Sequence, residues 1–185
     1  MESRAKLAGH AIHPMLIAFP LGLLATAVIF DLIYLFTGNA ELVTFSYWAI
    51  AAGIVGGLLA ALFGLIDWLA IPAGTRAKGV GLWHGGGNVV VVVLFIVAWL
   101  LRVGARGPEY RPTGLPFILE VIGVLLALVT SWLGGELVER LRVGIDDGAH
   151  LNAPNSLSGR PCRCWPVRRS ARPPQAARGR PGPSS

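Results

Sequence analysis

The chain enters its first long apolar run through the sequence HPMLIAFP, residues 13–20. His13 stands where a helix would enter the hydrocarbon. Pro14, in the first helical turn, costs no hydrogen bond because its missing N–H would have no partner there. Pro20 lies inside the run and frees the carbonyl of Leu16. A carbonyl freed within lipid needs a polar partner, so we expect this face to turn toward other helices. The stretch therefore predicts a membrane-crossing helix that belongs to a bundle.

The composition of the whole chain agrees with a membrane protein. Of its 185 residues, 54% are hydrophobic and only 14% are charged, whereas soluble domains carry about 25% charged residues. Four apolar segments are long enough, at about 1.5 Å per residue, to cross a hydrocarbon core of about 30 Å. We place these spans at about residues 14–36, 47–71, 84–101 and 115–133. The predicted fold is an all-α, four-span transmembrane helical bundle over residues 13–147.

The second span carries a stripe of small residues. Gly53, Gly57, Ala60 and Gly64 fall within about 40° of one another at about 100° per residue. Such a stripe lets a neighbouring helix approach closely. Asp67 continues the stripe one turn on, so we expect its side chain to point into the bundle.

The two ends of the chain are polar. Residues 1–12 are predicted to form a short cytoplasmic leader. Residues 148–185 are predicted to form a disordered tail, because a segment rich in Arg, Pro, Gly and Ser cannot bury a core. All seven basic residues after position 150 are arginines without an accompanying acid, so the net charge of +6 is due to the tail. We expect no nucleic-acid partner.

The loop charges predict the orientation of the bundle. Four spans place both termini on one side. That side collects six basic residues outside the distal tail: Arg4, Lys6, Arg76, Lys78, Arg140 and Arg142. The other side has three: Arg102, Arg106 and Arg111. The positive-inside rule therefore predicts that both termini are cytoplasmic.

Polar residues within the spans fall in two layers. Near the cytoplasmic boundary lie His13, Asp67, His84 and Asn88. Near the opposite boundary lie Asp31, Arg102 and Glu120. His13 and Asp31 are 18 residues apart, and so are His84 and Arg102. At that spacing the two residues of each pair lie on the same face of their helix, about 27 Å apart. We interpret the second layer as a structural charge cluster that fixes helix register, and the first as a polar niche.

The cytoplasmic layer leaves three functional alternatives open. His13 and His84, on separate helices, could bind haem b between them. His13, Asp67 and His84 could instead bind a divalent metal, with Asn88 in support. A small proton or solute pathway is the third alternative. It is disfavoured because four short spans show no evident internal repeat.

No arrangement of residues typical of an enzyme is present. The sequence has no Ser/His/Asp set, phosphate-binding loop or HExxH motif, and the glycines at 85–87 are a lone run. We therefore expect a non-enzymatic integral membrane protein in a lipid bilayer, structural or accessory to another membrane complex. Candidate partners are another membrane redox protein or a second copy of the chain. A b-type haem or metal-binding redox subunit is the alternative.

Several short stretches together resemble one protein family. They are HP at 13–14, FPLGL at 19–23, DL at 31–32, AG at 52–53, GLID at 64–67 and WLGGELV at 132–138. Over about residues 10–147 the chain resembles the bacterial domain of unknown function 2231 family. This resemblance implies a four-helix protein of the bacterial inner membrane, and some relatives occur beside Rieske-type iron–sulfur domains. The family pattern commonly has histidines at the positions of Ala18 and Leu141, and their absence here weakens both cofactor hypotheses.

Overall fold

Four long helices make up most of the chain. The computed structural model describes residues 1–104, 111–112, 114–158 and 160. The helices are α1 (Ile12–Thr37), α2 (Ala40–Ala70), α3 (Arg76–Gly104) and α4 (Leu115–Gly135). Each belongs to a segment long and apolar enough to cross a membrane. The all-α, four-span fold expected from the sequence is confirmed.

Two helices begin earlier than the apolar spans that they contain. The side chain of Asn39 accepts a hydrogen bond from the backbone N–H of Glu41 and so starts α2 at Ala40, before the span expected from about residue 47. α3 starts at Arg76, before the span expected from about residue 84, and continues through the glycines at 85–87. The glycine run is therefore helical.

The turn between α2 and α3 is fixed by a reciprocal contact. Lys78 Nζ donates to the Trp68 carbonyl at 2.7 Å, and Trp68 Nε1 donates to the Lys78 carbonyl at 3.1 Å. The ammonium group also lies 3.9 Å from the centroid of the indole ring, a cation–π distance. The start of α3 is thus attached to the end of α2.

The helices pack as two hairpins, because α1 contacts mainly α2 and α3 contacts mainly α4. Their common core contains six buried residues: Leu24, Ala27, Ile50, Ile54, Val91 and Phe95. Elsewhere the helices expose large apolar side chains, among them Phe19, Leu62 and Val93. Such an exterior suits contact with lipid.

The two hairpins use equivalent contacts. A residue of α1 corresponds to the residue 71 positions later in α3, and a residue of α2 corresponds to the residue 70 positions later in α4. A methyl group at Gly53 would lie 2.7 Å from Leu24 Cδ2, and one at Gly123 would lie 2.7 Å from Phe95 Cε2. The contacts of the two hairpins therefore repeat, although the sequence shows no evident internal repeat. Some equivalent packing positions hold the same residue, as Gly53 and Gly123 do, and others, such as Leu24 and Phe95, differ.

The leader and the segment after α4 lie at the same end of the bundle. The leader forms a small antiparallel ladder of β1 (Lys6–Leu7) and β2 (His10–Ala11). The N-terminal amine of Met1 donates to the Arg142 carbonyl at 2.9 Å, and the Gly144 N–H donates to the Met1 carbonyl at 2.9 Å. These contacts pair the two chain segments directly.

Beyond α4 the chain continues as short irregular elements. A single π-helical turn covers Glu136–Arg140, and turns then lead to a 3₁₀ helix at Ser156–Ser158. The first residues of the expected disordered tail thus form turns. The rest of that tail, at 161–185, and Arg106 lie outside the described residues.

Glycines at the helix contacts provide a test of this packing. Overpacking should make Gly53→Ala and Gly123→Ala each lower the free energy of unfolding by about 1–3 kcal/mol. The control is Gly22→Ala in α1, where the added methyl group would have no atom of another described helix within 4 Å. Its effect should be neutral or stabilising, because alanine favours helix by up to about 1 kcal/mol. Unfolding in detergent, followed by circular dichroism, measures all three. Equal changes in the free energy of unfolding at the three sites would contradict the close helix contacts at Gly53 and Gly123.

Candidate functional site

The layer far from the leader is centred on the guanidinium group of Arg102. Its Nη1 lies 2.8 Å from Asp31 Oδ2, 2.9 Å from Glu120 Oε1 and 3.1 Å from Ser46 Oγ. Its Nη2 donates to Asp31 Oδ1 at 3.1 Å. All four residues are buried, with at most 1% of their surface exposed. The structure thus brings together the three charged residues singled out in the sequence.

This charge cluster connects all four helices. Asp31 comes from α1, Ser46 from α2, Arg102 from α3 and Glu120 from α4. A buried charge is costly in lipid unless it is paired and hydrogen-bonded, so any shift of one helix along another is penalised. Sequence reasoning missed Ser46. A single serine near the start of an apolar span is a weak signal.

Two buried polar atoms near this layer lack hydrogen-bond partners among the described residues. They are Glu120 Oε2 and Trp99 Nε1. The Trp99 ring is stacked on Tyr47 with 5.3 Å between the ring centroids. Its position is therefore explained by packing, whereas the orphaned oxygen of Glu120 has no such explanation.

The layer near the leader contains two histidines held in the same way. His13 Nδ1 lies 2.8 Å from the Ala60 carbonyl, and His84 Nδ1 lies 2.8 Å from the Thr130 carbonyl. Because a carbonyl oxygen only accepts, each Nδ1 must carry a proton and donate it. Ala60 and Thr130 are also repeat-equivalent, so each hairpin fixes its own histidine.

A glycine makes room for each imidazole ring. A methyl group at Gly64 would lie 2.9 Å from His13 Nδ1, and one at Gly134 would lie 3.0 Å from His84 Cε1. The two rings meet between the hairpins, with centroids 6.3 Å apart and planes at 89°. The small-residue stripe of α2 therefore accommodates a polar side chain as well as apolar ones.

Asn88 of α3 belongs to this layer and connects it to α4. Its Nδ2 donates to the His84 carbonyl at 2.9 Å and lies 3.4 Å from His84 Nε2. The Thr130 hydroxyl lies 2.9 Å from Asn88 Oδ1. Thr130, which is 2% exposed, was not expected in the niche. A hydroxyl within an apolar run, next to Ser131, was its only signal.

Asp67 does not join the histidines. Its carboxylate accepts hydrogen bonds from the Ser3 hydroxyl at 2.8 Å and from the backbone N–H groups of Arg4 at 2.7 Å and Ala5 at 3.3 Å. The leader takes up the carboxylate at the end of α2, so the expected His13/Asp67/His84 metal site gains no support from the structure.

A haem or metal at the histidine pair gains no support. No group of three or more His, Cys, Asp or Glu residues suited to a metal ion occurs in the part of the chain that the structure describes. For the haem alternative, backbone carbonyls and glycines already account for the position of both rings. His13 and His84 meet as expected, and the described contacts are those of helix packing.

Exposed charges hold the leader over this end of the bundle. Lys6 Nζ contacts both Asp146 and Glu2. Hydrogen bonds to Asp146 and then Glu2 raise the pKa of Lys6, and the hydrogen bond from Lys6 lowers the pKa of Glu2. The contact of Glu2 with Lys6 therefore stabilises the folded protein when the pH is above the usual pKa of a carboxyl group. This stabilisation is lost as the pH falls through the lowered pKa of Glu2.

Comparison with known proteins yields a match to one family. The model of a family described as "Predicted membrane protein (DUF2231)" matches residues 9–147. No curated protein and no solved structure matches the chain. The match covers all four helices and leaves the distal tail outside.

The charge cluster predicts a large difference between two arginine substitutions. Arg102→Met leaves two buried carboxyl groups without their cation and should lower the free energy of unfolding by about 3–5 kcal/mol. Arg76→Met is the matched control. Arg76 pairs with Glu136 at 2.6 Å, but its side chain is 62% exposed, so its loss should cost less than about 1 kcal/mol. Unfolding in detergent measures both.

A charge exchange separates pairing from packing in the same experiment. The double variant Asp31→Arg/Arg102→Asp should recover part of the stability that Arg102→Asp alone loses. A double variant no more stable than the single one would argue against a direct pair.

Proposed function

The chain belongs to DUF2231, a family of predicted membrane proteins, and on that premise we propose a non-enzymatic role. In this proposal the protein is a structural or accessory component of a bacterial inner membrane. Its leader and tail are cytoplasmic, and its partner is another membrane protein or a second copy of the chain. At Gly22, Gly85 and Gly86 no atom of another described helix lies within 4 Å of the position that a Cβ atom would take, which would permit close approach of a neighbouring helix.

The observation that carries the proposal is the use of interior polar groups to join helices. Arg102 binds a residue from each of the other three helices. The two histidines bind carbonyls of the neighbouring helix, and Asn88 binds Thr130. A cavity between α1, α3 and α4 has a volume of only about 40 Å³ and is lined by apolar side chains. This interior favours a fixed helical unit over a transport pathway.

The burial of Arg102 supports the cytoplasmic placement of the leader. As a buried partner of Asp31 and Glu120, Arg102 is not a loop charge of the kind that governs membrane insertion. Without Arg102 the basic residues on the far side are Arg106 and Arg111. The imbalance toward the leader side is then six to two.

The absence of a redox cofactor can be tested with purified protein. We expect the protein, purified in detergent, to be helical, colourless and free of stoichiometric metal. His13→Ala and His84→Ala should then lower stability without changing the absorption spectrum or the metal content. His10→Ala, at an exposed leader position, should change none of these three properties. Absorption spectra with and without dithionite, with elemental analysis, give the result. A Soret band or a bound metal lost in both His13→Ala and His84→Ala but retained in His10→Ala would overturn the proposal.

The orientation is tested separately by cysteine labelling. Ala40→Cys and Ala73→Cys are exposed positions at opposite ends of α2, introduced with Cys162→Ser and Cys164→Ser. A membrane-impermeant maleimide should label Ala40→Cys in intact spheroplasts and label Ala73→Cys only after lysis. The reverse pattern would place the leader outside the cytoplasm.

A further inference from the structure

The two carboxyl groups at Arg102 are bound unequally. Asp31 uses both oxygens, one on Nη1 at 2.8 Å and one on Nη2 at 3.1 Å. Glu120 uses only Oε1, at 2.9 Å from an Nη1 that also contacts Ser46. The bidentate geometry stabilises the charged form of Asp31 more than that of Glu120.

An ionised Glu120 would be costly in this position. Its Oε2 is buried without a partner among the described residues, and the residue is 0% exposed. Half of a carboxylate charge would then lie on an unsolvated oxygen. In a neutral acid Oε1 still accepts from Arg102 and Oε2 carries the proton. An uncharged hydroxyl without a partner costs much less free energy than an unpaired charge.

The charged groups beside Glu120 also favour its neutral form. Glu120 contacts Arg102 of α3, whose guanidinium group also binds Asp31 of α1 and Ser46 of α2. Arg111, which precedes α4, is exposed. Among the described residues, two carboxyl groups share one guanidinium group, which leaves a single negative charge unless one of the two binds a proton. The guanidinium group repels a metal cation, so a proton is the ligand that fits.

We propose that Glu120 is a proton-binding site within the membrane, a neutral carboxylic acid at neutral pH beside the ion pair of Arg102 and Asp31. The site adds to the proposed structural role, since it places a bound proton in the half of the bilayer away from the leader.

Infrared spectroscopy with residue-specific isotope labels tests this site in the intact protein. The carbonyl stretch of a protonated carboxylic acid is separate from the carboxylate bands. The full-length protein in lipid vesicles at neutral pH should show one such band. The band should shift when glutamate carries a ¹³C carboxyl group, and it should stay in place when aspartate carries the label.

Substitutions assign the band to one residue. Glu120→Gln should abolish it, and Glu41→Gln, at an exposed position at the start of α2, should leave it unchanged. If Glu120→Gln fails to fold, Glu120→Asp should transfer the isotope shift from glutamate to aspartate. A wild-type band that follows aspartate labelling would overturn the proposal. The absence of an acid band, or a glutamate band that persists in Glu120→Gln, would overturn it too.

Discussion

The guanidinium group of Arg102 is the contact on which the arrangement of the four helices depends. It lies in a medium where an unpaired charge is very costly, and its partners come from three different helices. In lipid, apolar side chains favour helix association only weakly, because the surrounding tails are equally apolar. Directional polar contacts and close packing must therefore set the register. A helix that shifted by one residue would separate the cluster.

The repeat explains why the charges have opposite sign. Asp31 and Arg102 occupy equivalent positions of the two hairpins, 71 residues apart, and they bind each other. Two identical hairpins would bring together like charges at this point. Opposite charges make the first hairpin complementary to the second and penalise the pairing of either hairpin with a copy of itself. The difference in sequence between the repeats thus provides the specificity of their association.

The histidine layer shows the same repeat without the change of charge. His13 and His84 are equivalent, and each donates from Nδ1 to a carbonyl of its own hairpin and fits against a glycine. The two rings meet across the hairpin interface. The leader then closes this end, since Asp67 is taken up by Ser3 and the backbone of the next two residues. The two hairpins are therefore joined by histidine rings at the leader end and by a buried ion pair at the other end.

The sequence by itself determined the class of protein, the four spans and the two polar layers. These follow from hydropathy, from the length needed to cross the bilayer and from the 18-residue spacing along one helix face. It also indicated the residues of the charge cluster, because an ionisable side chain in a span must turn inward.

Only the tertiary structure decided which polar groups meet. Asp67 binds the leader because the Ser3 hydroxyl and the backbone N–H groups of Arg4 and Ala5 donate to its carboxylate, and no local pattern reveals such a long-range contact. Ser46 and Thr130 carry no periodic signal, and their roles depend on which helix faces them. The repeat was also hard to recognise from residue identities, because some equivalent positions hold the same residue, as His13 and His84 do, whereas others, such as Leu24 and Phe95, differ.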